Sequence, residues 1–288
     1  MRQFLPVVRV AKASWRPTLL IGVTLCLHAA AVALVMVYPM HWRWTLTALA
    51  ANHVVLMLVG LWPRSHWMGS NWTQLPAAAK ARRQIALTID DGPDPGVTPQ
   101  VLEVLARRGV QATFFVIGER AQRYPDLCRE IMRRGHAIEN HTQHHRHHFA
   151  LMGVQGITRE LQAAQASLAA ITGQRPLFFR APAGLRNPFL DPVLHRLGLQ
   201  LVSWSVRGFD TRVSNAQKVT HKLLSGLCPG AIVLLHDGNA ARTREGQPVI
   251  LRVLPVLLDA AAADNLHFVT LRQACVLAAP TIKSLANA

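Results

Sequence analysis

The sequence predicts an α/β fold with a parallel sheet, preceded by a pair of membrane-spanning helices. From residue 84 onward, short apolar runs alternate with amphipathic segments, and repeated strand–helix units build parallel sheets. Before residue 63 the chain holds two long apolar runs. These observations divide the chain into a membrane segment and one soluble domain, joined by a linker at residues 63–83.

The first apolar run covers residues 18–38 and the second covers residues 45–62, where Asn52 and His53 interrupt it. A helix needs about 20 apolar residues to cross a bilayer, so the first run meets this length well and the second marginally. A signal peptide followed by a core helix is the alternative, but no clear small-residue cleavage site follows the first run. We therefore predict two transmembrane helices within residues 18–62.

Basic residues predict the orientation of this hairpin. Four of them lie in the segment 1–17, Arg43 lies between the two runs, and four more lie between residues 63 and 84. Lys and Arg stay preferentially on the cytoplasmic side of a membrane. Both ends of the hairpin and the soluble domain are therefore expected in the cytoplasm, with the chain crossing a bacterial-type inner membrane twice.

The charge balance limits the partners. The net charge is +16, and because residues 1–75 hold six basic and no acidic residues, +10 of it belongs to the rest of the chain. This excess favours anionic lipid or a phosphorylated substrate, although an Arg-rich composition alone explains it equally well. No nucleic-acid-binding motif is present. The four cysteines have no paired or metal-type spacing, which is compatible with a reducing compartment.

Strand and helix patterns alternate through the soluble domain. Seven strands are predicted, at residues 85–89, 112–117, 136–139, 177–179, 200–206, 231–235 and 267–271. Six helices are predicted, at residues 98–108, 124–134, 157–172, 188–197, 216–227 and 249–263. Seven such units suit a closed or nearly closed α/β barrel, and an open doubly wound sheet is the alternative. No glycine motif for a nucleotide follows the first strand, which argues against a dinucleotide site.

Ionisable residues follow five of these strands directly. They are Asp90 and Asp91, the histidines at 141–148, Arg180, Asp210, and His236 with Asp237. In parallel α/β folds the carboxyl ends of the strands form the active-site face. The sequence therefore predicts that five strands contribute side chains to one polar site.

Asp90 and Asp91 are adjacent carboxylates at a sharp turn, where Gly92 and Pro93 follow the first strand. Two carboxylates held close together repel each other, and a positive charge relieves the repulsion. A metal ion is the obvious candidate, with one acid binding it and the other free to act as a base. An ordinary strand–helix turn with solvated aspartates is the alternative.

His141 and His145 lie four residues apart, a spacing that places both on one face of a helical turn. Two imidazoles and one carboxylate are a common zinc-binding set that leaves one coordination position open. The same stretch also holds His144, His147 and His148. A solvated His-rich loop is therefore an equally open interpretation of the histidines taken alone.

Taken together, five short segments resemble the five motifs of the NodB-type polysaccharide deacetylases, carbohydrate esterase family 4. In order along the chain they are residues 88–93 (TIDDGP), 141–145 (HTQHH), 180–182 (RAP), Asp210, and 235–237 (LHD). Their order and spacing both agree with the family. The resemblance extends over about residues 84–271 and excludes the membrane segment.

The resemblance implies a distorted (β/α) barrel and a metal-dependent hydrolase that removes an acyl group from an amino sugar. It implies that Asp91, His141 and His145 hold a divalent metal, usually zinc. It also implies that Asp90 is the general base, oriented by Arg180, and that His236 is the general acid, paired with Asp210. The deacetylase domain is expected at residues 84–275, followed by a tail at 276–288.

Some residues depart from the family pattern. Many members have an aromatic residue where Ala183 stands and Trp where Thr211 stands, and these aromatics line the sugar groove. The substrate is therefore either an N-acylated polysaccharide or a lipid-linked amino sugar carrying an acetyl or formyl group. Arg146, Arg207 and Arg212 are candidates to meet a phosphate, although surface charge explains them equally well.

Two other classes of function stay open at this point. One is a catalytically inactive sugar- or lipid-binding protein on the same barrel, since a fold does not fix an activity. The other is a different metal hydrolase, such as a phosphoesterase. The oligomeric state has no signal in the sequence.

Overall fold

The computed structural model of the protein describes residues 14–276. Most of the predicted basic segment 1–17 and nearly all of the predicted tail 276–288 lie outside these residues. Within them, the predicted alternation of strands and helices is present from residue 84 to the end of the last helix.

In the described part of the chain, eight strands form one sheet: β1 (Gln84–Asp90), β2 (Thr113–Val116), β3 (Ala137–Asn140), β4 (Phe178–Phe179), β5 (Gln200–Leu201), β6 (Val206–Arg207), β7 (Ile232–His236) and β8 (His267–Phe268). Their order is β5-β4-β3-β2-β1-β7-β6, with β8 added against the start of β1. Every pair of neighbouring strands is parallel. The prediction of a parallel sheet is thus confirmed.

The sheet curls into a half-barrel. Strands β5 and β6 lie at opposite ends of the strand order, although only residues 202–205 separate them in the chain. The sequence predicts one strand here, and the structure has two. Ser203 donates its N–H to the Trp72 carbonyl, and the Ser205 hydroxyl accepts from the Ile232 N–H. Within the described residues the connecting segment bonds to the linker, to β4 and to β7, so β5 and β6 do not pair with each other and the barrel is not closed.

Residues 14–276 also form eleven α-helices: α1 (Leu19–Val37), α2 (Trp42–Gly60), α3 (Ala77–Ala81), α4 (Thr98–Arg107), α5 (Gly118–Arg123), α6 (Pro125–Arg133), α7 (Val154–Thr172), α8 (Leu190–Leu197), α9 (Ala216–Leu224), α10 (Val249–Ala263) and α11 (Leu271–Val276). The six predicted helices are all present. Gly173 and Gly198 end α7 and α8 in the left-handed conformation, as expected of glycines that follow a helix.

Alternation along β1 positions the acids. Ile85, Leu87 and Ile89 belong to the main apolar core, which is formed with helices such as α4 and α10. Side chains alternate between the two faces of a strand, so Thr88 and Asp90 point to the opposite face, inside the curl. Asp90 is the last residue of β1, and its carboxylate therefore lies at the carboxyl end of the sheet.

Helices α1 and α2 form an antiparallel pair before the domain. In the described part of the chain, α1 is the one helix whose length and mean hydropathy, 2.4, suit a membrane span. Arg43, Asn52 and His53 make α2 more polar. The structure thus shows one candidate apolar helix near the N-terminus, and the predicted transmembrane hairpin is not confirmed.

The segment 63–83 packs on the domain. Trp72 forms a bridge with Val202, and Gln74 forms one with Ala231. The helical pair is attached at both of its domain-facing ends, because the Trp15 indole donates to Asp191 at 2.7 Å and the Gly60 carbonyl accepts from the Arg186 N–H at 3.2 Å. The ends of α1 and α2 therefore lie against the domain.

Candidate active site

The carboxyl ends of the strands meet at one cleft. Its lining includes five of the predicted site residues: Asp90, Asp91, His141, His145 and His236. The other two, Arg180 and Asp210, are buried behind the cleft wall, where they contact Asp90 and His236. The structure thus brings all seven predicted site residues together, although the strands that position them are far apart in the sequence.

Three of these side chains form a compact triangle that suits a metal ion. Asp91 Oδ1 lies 3.2 Å from His141 Nε2 and 3.2 Å from His145 Nε2, and one ligand atom from each residue lies within 4.8 Å of the others. Asp91 Oδ1 is buried and has no hydrogen-bond partner within residues 14–276. A buried carboxylate oxygen without a donor, facing two imidazole nitrogens, fits a divalent cation.

The protonation states of the triangle also suit a metal. Burial alone would raise the pKa of Asp91, but His141, His236 and His145 together hold it well below its usual range. Burial lowers the pKa of His145 to about 4, with the neighbouring His141 acting in the same direction. The carboxylate is therefore ionised and the His145 imidazole neutral near pH 7, which are the forms that bind a metal.

His141 is held in the tautomer that a ligand needs. Its Nδ1 atom lies 2.8 Å from the Arg180 carbonyl oxygen, and because a carbonyl only accepts, Nδ1 carries the proton. The Nε2 lone pair then faces Asp91. Such a hydrogen bond to the second ring nitrogen orients metal-binding histidines and makes them more basic.

The histidines do not lie on a helical turn, and that expectation is wrong. Thr142 and His145 have left-handed φ angles of 66° and 51°. The Asn140 side chain accepts from the Thr142 N–H, and the Thr142 hydroxyl accepts from the His145 N–H, both at 2.9 Å. This locally bonded loop, rather than a helix, brings the rings of His141 and His145 to 4.8 Å between centroids.

Arg180 fixes Asp90 from inside the sheet. Its Nη1 donates to Asp90 Oδ1 at 2.6 Å and to the Thr88 hydroxyl at 2.8 Å. Its remaining N–H groups donate to the carbonyls of Val202 and Ser203. The guanidinium is 1 % exposed, so this buried charge is paired and hydrogen-bonded, as a buried charge must be. Asp90 is thereby held as an oriented carboxylate beside the triangle.

Asp210 holds His236 in the same way on the other side of the cleft. Asp210 Oδ1 lies 2.9 Å from His236 Nδ1, and Oδ2 accepts from the His236 backbone N–H at 2.8 Å. Burial would lower the pKa of His236, but the charge and hydrogen bond of Asp210 outweigh it and raise the pKa to about 9. His236 is therefore protonated near pH 7, with Nε2 directed away from Asp210.

Several contributing residues were missed in the sequence. Asn239 donates to Asp91 Oδ2 at 3.1 Å, and Arg120 donates to the Asp91 carbonyl at 2.9 Å. Glu160, on α7, accepts from both the backbone N–H and the Nδ1 of His144. Asn239 lies two residues after the last motif, and this position in the sequence could have identified it. Nothing in the sequence marks Glu160, because only the packing of α7 brings it to the histidine loop.

The departures from the family pattern lie at the cleft. Ala183, Thr211, Arg207 and Arg212 all line it. Arg146 does not, because its Nε is directed towards Glu160 at 3.5 Å. Of the three arginines predicted as candidate phosphate contacts, Arg207 and Arg212 lie at the cleft and Arg146 does not.

Comparison with known proteins identifies relatives of the domain. The sequence model of the polysaccharide deacetylase family matches residues 77–202. A chitooligosaccharide deacetylase of Azorhizobium caulinodans is 39% identical over 155 residues, which cover 54% of this chain and 73% of that protein. The peptidoglycan-N-acetylglucosamine deacetylase PgdA of Listeria monocytogenes is 38% identical over 159 residues, covering 55% of this chain but only 33% of the Listeria protein.

A solved structure shares the fold. The crystal structure of a peptidoglycan N-acetylglucosamine deacetylase, in complex with a naphthalenyl N-hydroxybenzamide, superposes with a TM-score of 0.64 and 27% sequence identity. The superposition covers 70% of this chain and 91% of that one.

Proposed function

Because the chain belongs to the polysaccharide deacetylase family, we propose that it is a metal-dependent hydrolase that removes an N-acyl group from an amino sugar. The observation that carries this proposal is the triangle of Asp91, His141 and His145, with a free carboxylate on one side and a protonated imidazole on the other. The relatives deacetylate chitooligosaccharide and peptidoglycan N-acetylglucosamine by name, which supports an amide of an amino sugar as the bond cleaved.

In this proposal Asp91, His141 and His145 hold a divalent ion, and zinc is the ion that best suits one carboxylate and two imidazoles. When bound, such an ion supplies Lewis-acid activation of a water molecule and of the acyl carbonyl. Three protein ligands leave a coordination position for these groups. The assignment of zinc rests on the ligand set.

Asp90 is the proposed general base. Its carboxylate adjoins the triangle, with Oδ2 lying 3.9 Å from His141 Nε2, and it accepts a proton from the attacking water. Arg180 pairs with Asp90 and orients it. A base held by a buried guanidinium loses little freedom when the reaction begins, which is the advantage of a preorganised site.

His236 is the proposed general acid. It donates its proton to the amide nitrogen as the carbon–nitrogen bond breaks, so that the products are a carboxylic acid and a free amine. Asp210 stabilises the protonated imidazole and orients it. The backbone N–H near Ala183, which lines the cleft opposite, is a candidate donor to the oxygen that becomes negative.

The amino sugar is either part of a polysaccharide or linked to a lipid. Ala183 and Thr211 give the cleft small walls where many relatives carry aromatic rings, which weakens the argument for a long polymer. We propose residues 84–275 as the catalytic domain and attachment to a membrane through α1.

We further propose that α2 crosses the membrane beside α1. Two of the polar side chains that lower its hydropathy contact α1, because Asn52 accepts from the Thr24 hydroxyl at 3.1 Å and the rings of His28 and His53 lie 5.2 Å apart. A hydrogen bond between two helices is compatible with a bilayer. The basic residues at both ends of the pair favour a cytoplasmic catalytic domain in a bacterial-type inner membrane.

The direct test is acyl release by the full chain purified in detergent, with N-acetylglucosamine oligomers and their N-formyl analogues as substrates. We expect acetate or formate to appear, a chelator to abolish the release, and added zinc to restore it. Release of phosphate from phosphorylated sugars without acyl release would indicate a phosphoesterase. Binding of the sugars with no release under any metal would indicate an inactive binding protein.

A further inference from the structure

Arg207 is a partly buried cation that forms no ion pair within the described part of the chain. It ends β6 and lines the cleft. Its Nε atom is buried and has no hydrogen-bond partner within residues 14–276. Two nearby acids are engaged with other residues, since both oxygens of Asp210 bind His236 and Asp90 Oδ1 binds Arg180. Burial lowers the pKa of Arg207 in spite of these acids, yet a guanidinium stays charged in proteins.

Two aromatic rings hold the Arg207 guanidinium in place. Its central carbon lies 5.1 Å from the centroid of Trp204 and 4.8 Å from that of Phe209. Such stacking orients the planar group and leaves its N–H edge free to donate. A charge that is partly desolvated, oriented and unpaired at the wall of a cleft is costly for folding alone. It is explained if an anionic ligand pairs with it.

A second guanidinium lies on the same cleft. Arg212 is exposed and lines the cleft with Arg207. Two guanidinium groups match a ligand carrying more than one negative charge, and their forked donors suit the oxygens of a phosphate. A single carboxylate would satisfy only one of them.

We propose that Arg207 and Arg212 form an anion subsite that binds a phosphate attached to the N-acylated amino sugar. This inference rests on the proposed deacylase function and specifies its substrate class. The phosphate belongs either to a soluble sugar phosphate or to a lipid-linked one, and the same subsite chemistry serves both.

The attachment of the helical pair favours the lipid-linked source. Pro63 follows α2 and packs on the cleft wall, where a Cβ on Gly184 would lie 2.6 Å from Pro63 Cβ and 2.7 Å from the Trp204 ring. The Pro63 carbonyl also accepts from the Ser203 hydroxyl at 2.7 Å. The wall that carries Trp204 is therefore the wall against which the end of α2 lies, so a membrane-bound substrate would reach the subsite over a short distance.

The test compares phosphorylated and unphosphorylated forms of one substrate, N-acetylglucosamine 1-phosphate and N-acetylglucosamine, with the zinc-loaded full chain. We expect a higher kcat/KM for the phosphorylated form. Arg207→Gln should reduce the ratio of the two kcat/KM values roughly tenfold or more, because charge-assisted hydrogen bonds are lost. Arg207→Lys should restore part of the ratio, since it keeps the charge without the fork. Arg159→Gln, an exposed arginine on α7, is the control and should leave the ratio unchanged.

A binding measurement that needs no turnover separates the two proposals. Calorimetry with glucosamine 1-phosphate and glucosamine should show tighter binding of the phosphate, lost in Arg207→Gln. If this holds but no substrate releases acyl, the deacylase function fails and the subsite stands. The subsite is overturned if the protein releases acyl but shows the same kcat/KM and the same affinity for phosphorylated and unphosphorylated sugars, with no change in Arg207→Gln. An equal preference for N-acetylmuramic acid would overturn the assignment of phosphate.

The source of the phosphate is decided by a third substrate, the same sugar linked to a polyprenyl phosphate in phospholipid vesicles. A higher kcat/KM for this form than for the soluble sugar phosphate indicates the lipid-linked source. Equal or lower values, with the dependence on Arg207 retained, indicate the soluble sugar phosphate.

Discussion

Arg180 shows at the scale of one residue how the site is coupled to the fold. It is fully buried and binds Asp90, Thr88 and two backbone carbonyls. Removing one partner of a buried ion pair leaves the other charge uncompensated, which typically costs about 3–5 kcal/mol. The same guanidinium therefore stabilises the half-barrel and orients the proposed base.

We predict that Arg180→Gln lowers the free energy of unfolding by about 3–5 kcal/mol, measured by urea denaturation. Arg129→Gln is the control, because its ion pair with Asp126 lies on the exposed surface of α6 and surface pairs contribute little. Equal stability of Arg180→Gln and the wild type would contradict a paired, buried charge at this position.

The pair of Asp210 and His236 predicts a pH dependence. His236 must be protonated to act as an acid, and its pKa is raised to about 9, against burial, by Asp210. Activity should therefore be retained below this pH and be lost as the pH rises through about 9. Asp210→Asn removes the charge that stabilises the imidazolium, so the alkaline limb of kcat/KM should move to lower pH.

The pH profile of kcat/KM measures this shift, and NMR titration of His236 reports the same pKa without turnover. Asp264→Asn, at an exposed residue after α10, is the matched control. An alkaline limb that stays in place in Asp210→Asn would show that His236 is not the acid that Asp210 supports.

At the scale of elements, α7 holds the loop that carries both histidines. Glu160 accepts from the His144 backbone N–H at 3.0 Å and lies 2.8 Å from His144 Nδ1. Its carboxylate is buried, and the adjacent His145 belongs to the triangle. The helix thus fixes a ligand indirectly, through the residue beside it.

Glu160→Ala should raise the Kd for zinc roughly tenfold. Loss of a residue that supports a metal ligand typically lowers metal affinity about 10- to 100-fold, and Glu160 acts only through the neighbouring His144. Competition with a zinc-binding dye measures the Kd. Glu119→Ala, which removes an exposed carboxylate from α5, should leave the Kd unchanged. If both variants bind zinc as the wild type does, the loop holds its shape without α7.

The sequence predicts elements well where periodicity is strong. The helix at 249–263 has the predicted bounds, and β1, β3 and β7 agree to within a residue or so, because buried apolar runs define them. The break between β5 and β6 was missed because side-chain and linker contacts cause it.

The histidine loop was wrongly expected as a helical turn because left-handed residues leave no mark in residue spacing. The site residues were found because local motifs name them, whereas the contact of Glu160 depends on tertiary packing.

At the scale of the whole molecule, the helical pair and the domain are joined through both ends of the pair. Trp15 binds Asp191, and Gly60 binds Arg186. If α1 and α2 both span the membrane, the cleft lies on the side that carries the basic residues. The substrate is then expected on that side of the membrane.

Topology reporters fused after Ala288 test this arrangement. We predict activity of a reporter that works only in the cytoplasm, because Lys and Arg flank both ends of the pair. As the internal control, a reporter that works only outside the cytoplasm should be active when it is inserted between α1 and α2. Activity of a reporter that works only outside the cytoplasm, fused after Ala288, would contradict the proposed orientation. Cell-wall or secreted polysaccharide would then be the favoured substrate.

The most direct test of the central claim is to measure bound zinc and acyl release in the same preparations of wild type, Asp90→Asn and Asp91→Asn. We predict that Asp90→Asn keeps the metal but loses roughly 10²–10⁴-fold in kcat, the contribution of a general base. Asp91→Asn should lose both metal and activity. Wild-type turnover by Asp90→Asn, or full metal retention by Asp91→Asn, would contradict the division of labour between the two adjacent carboxylates.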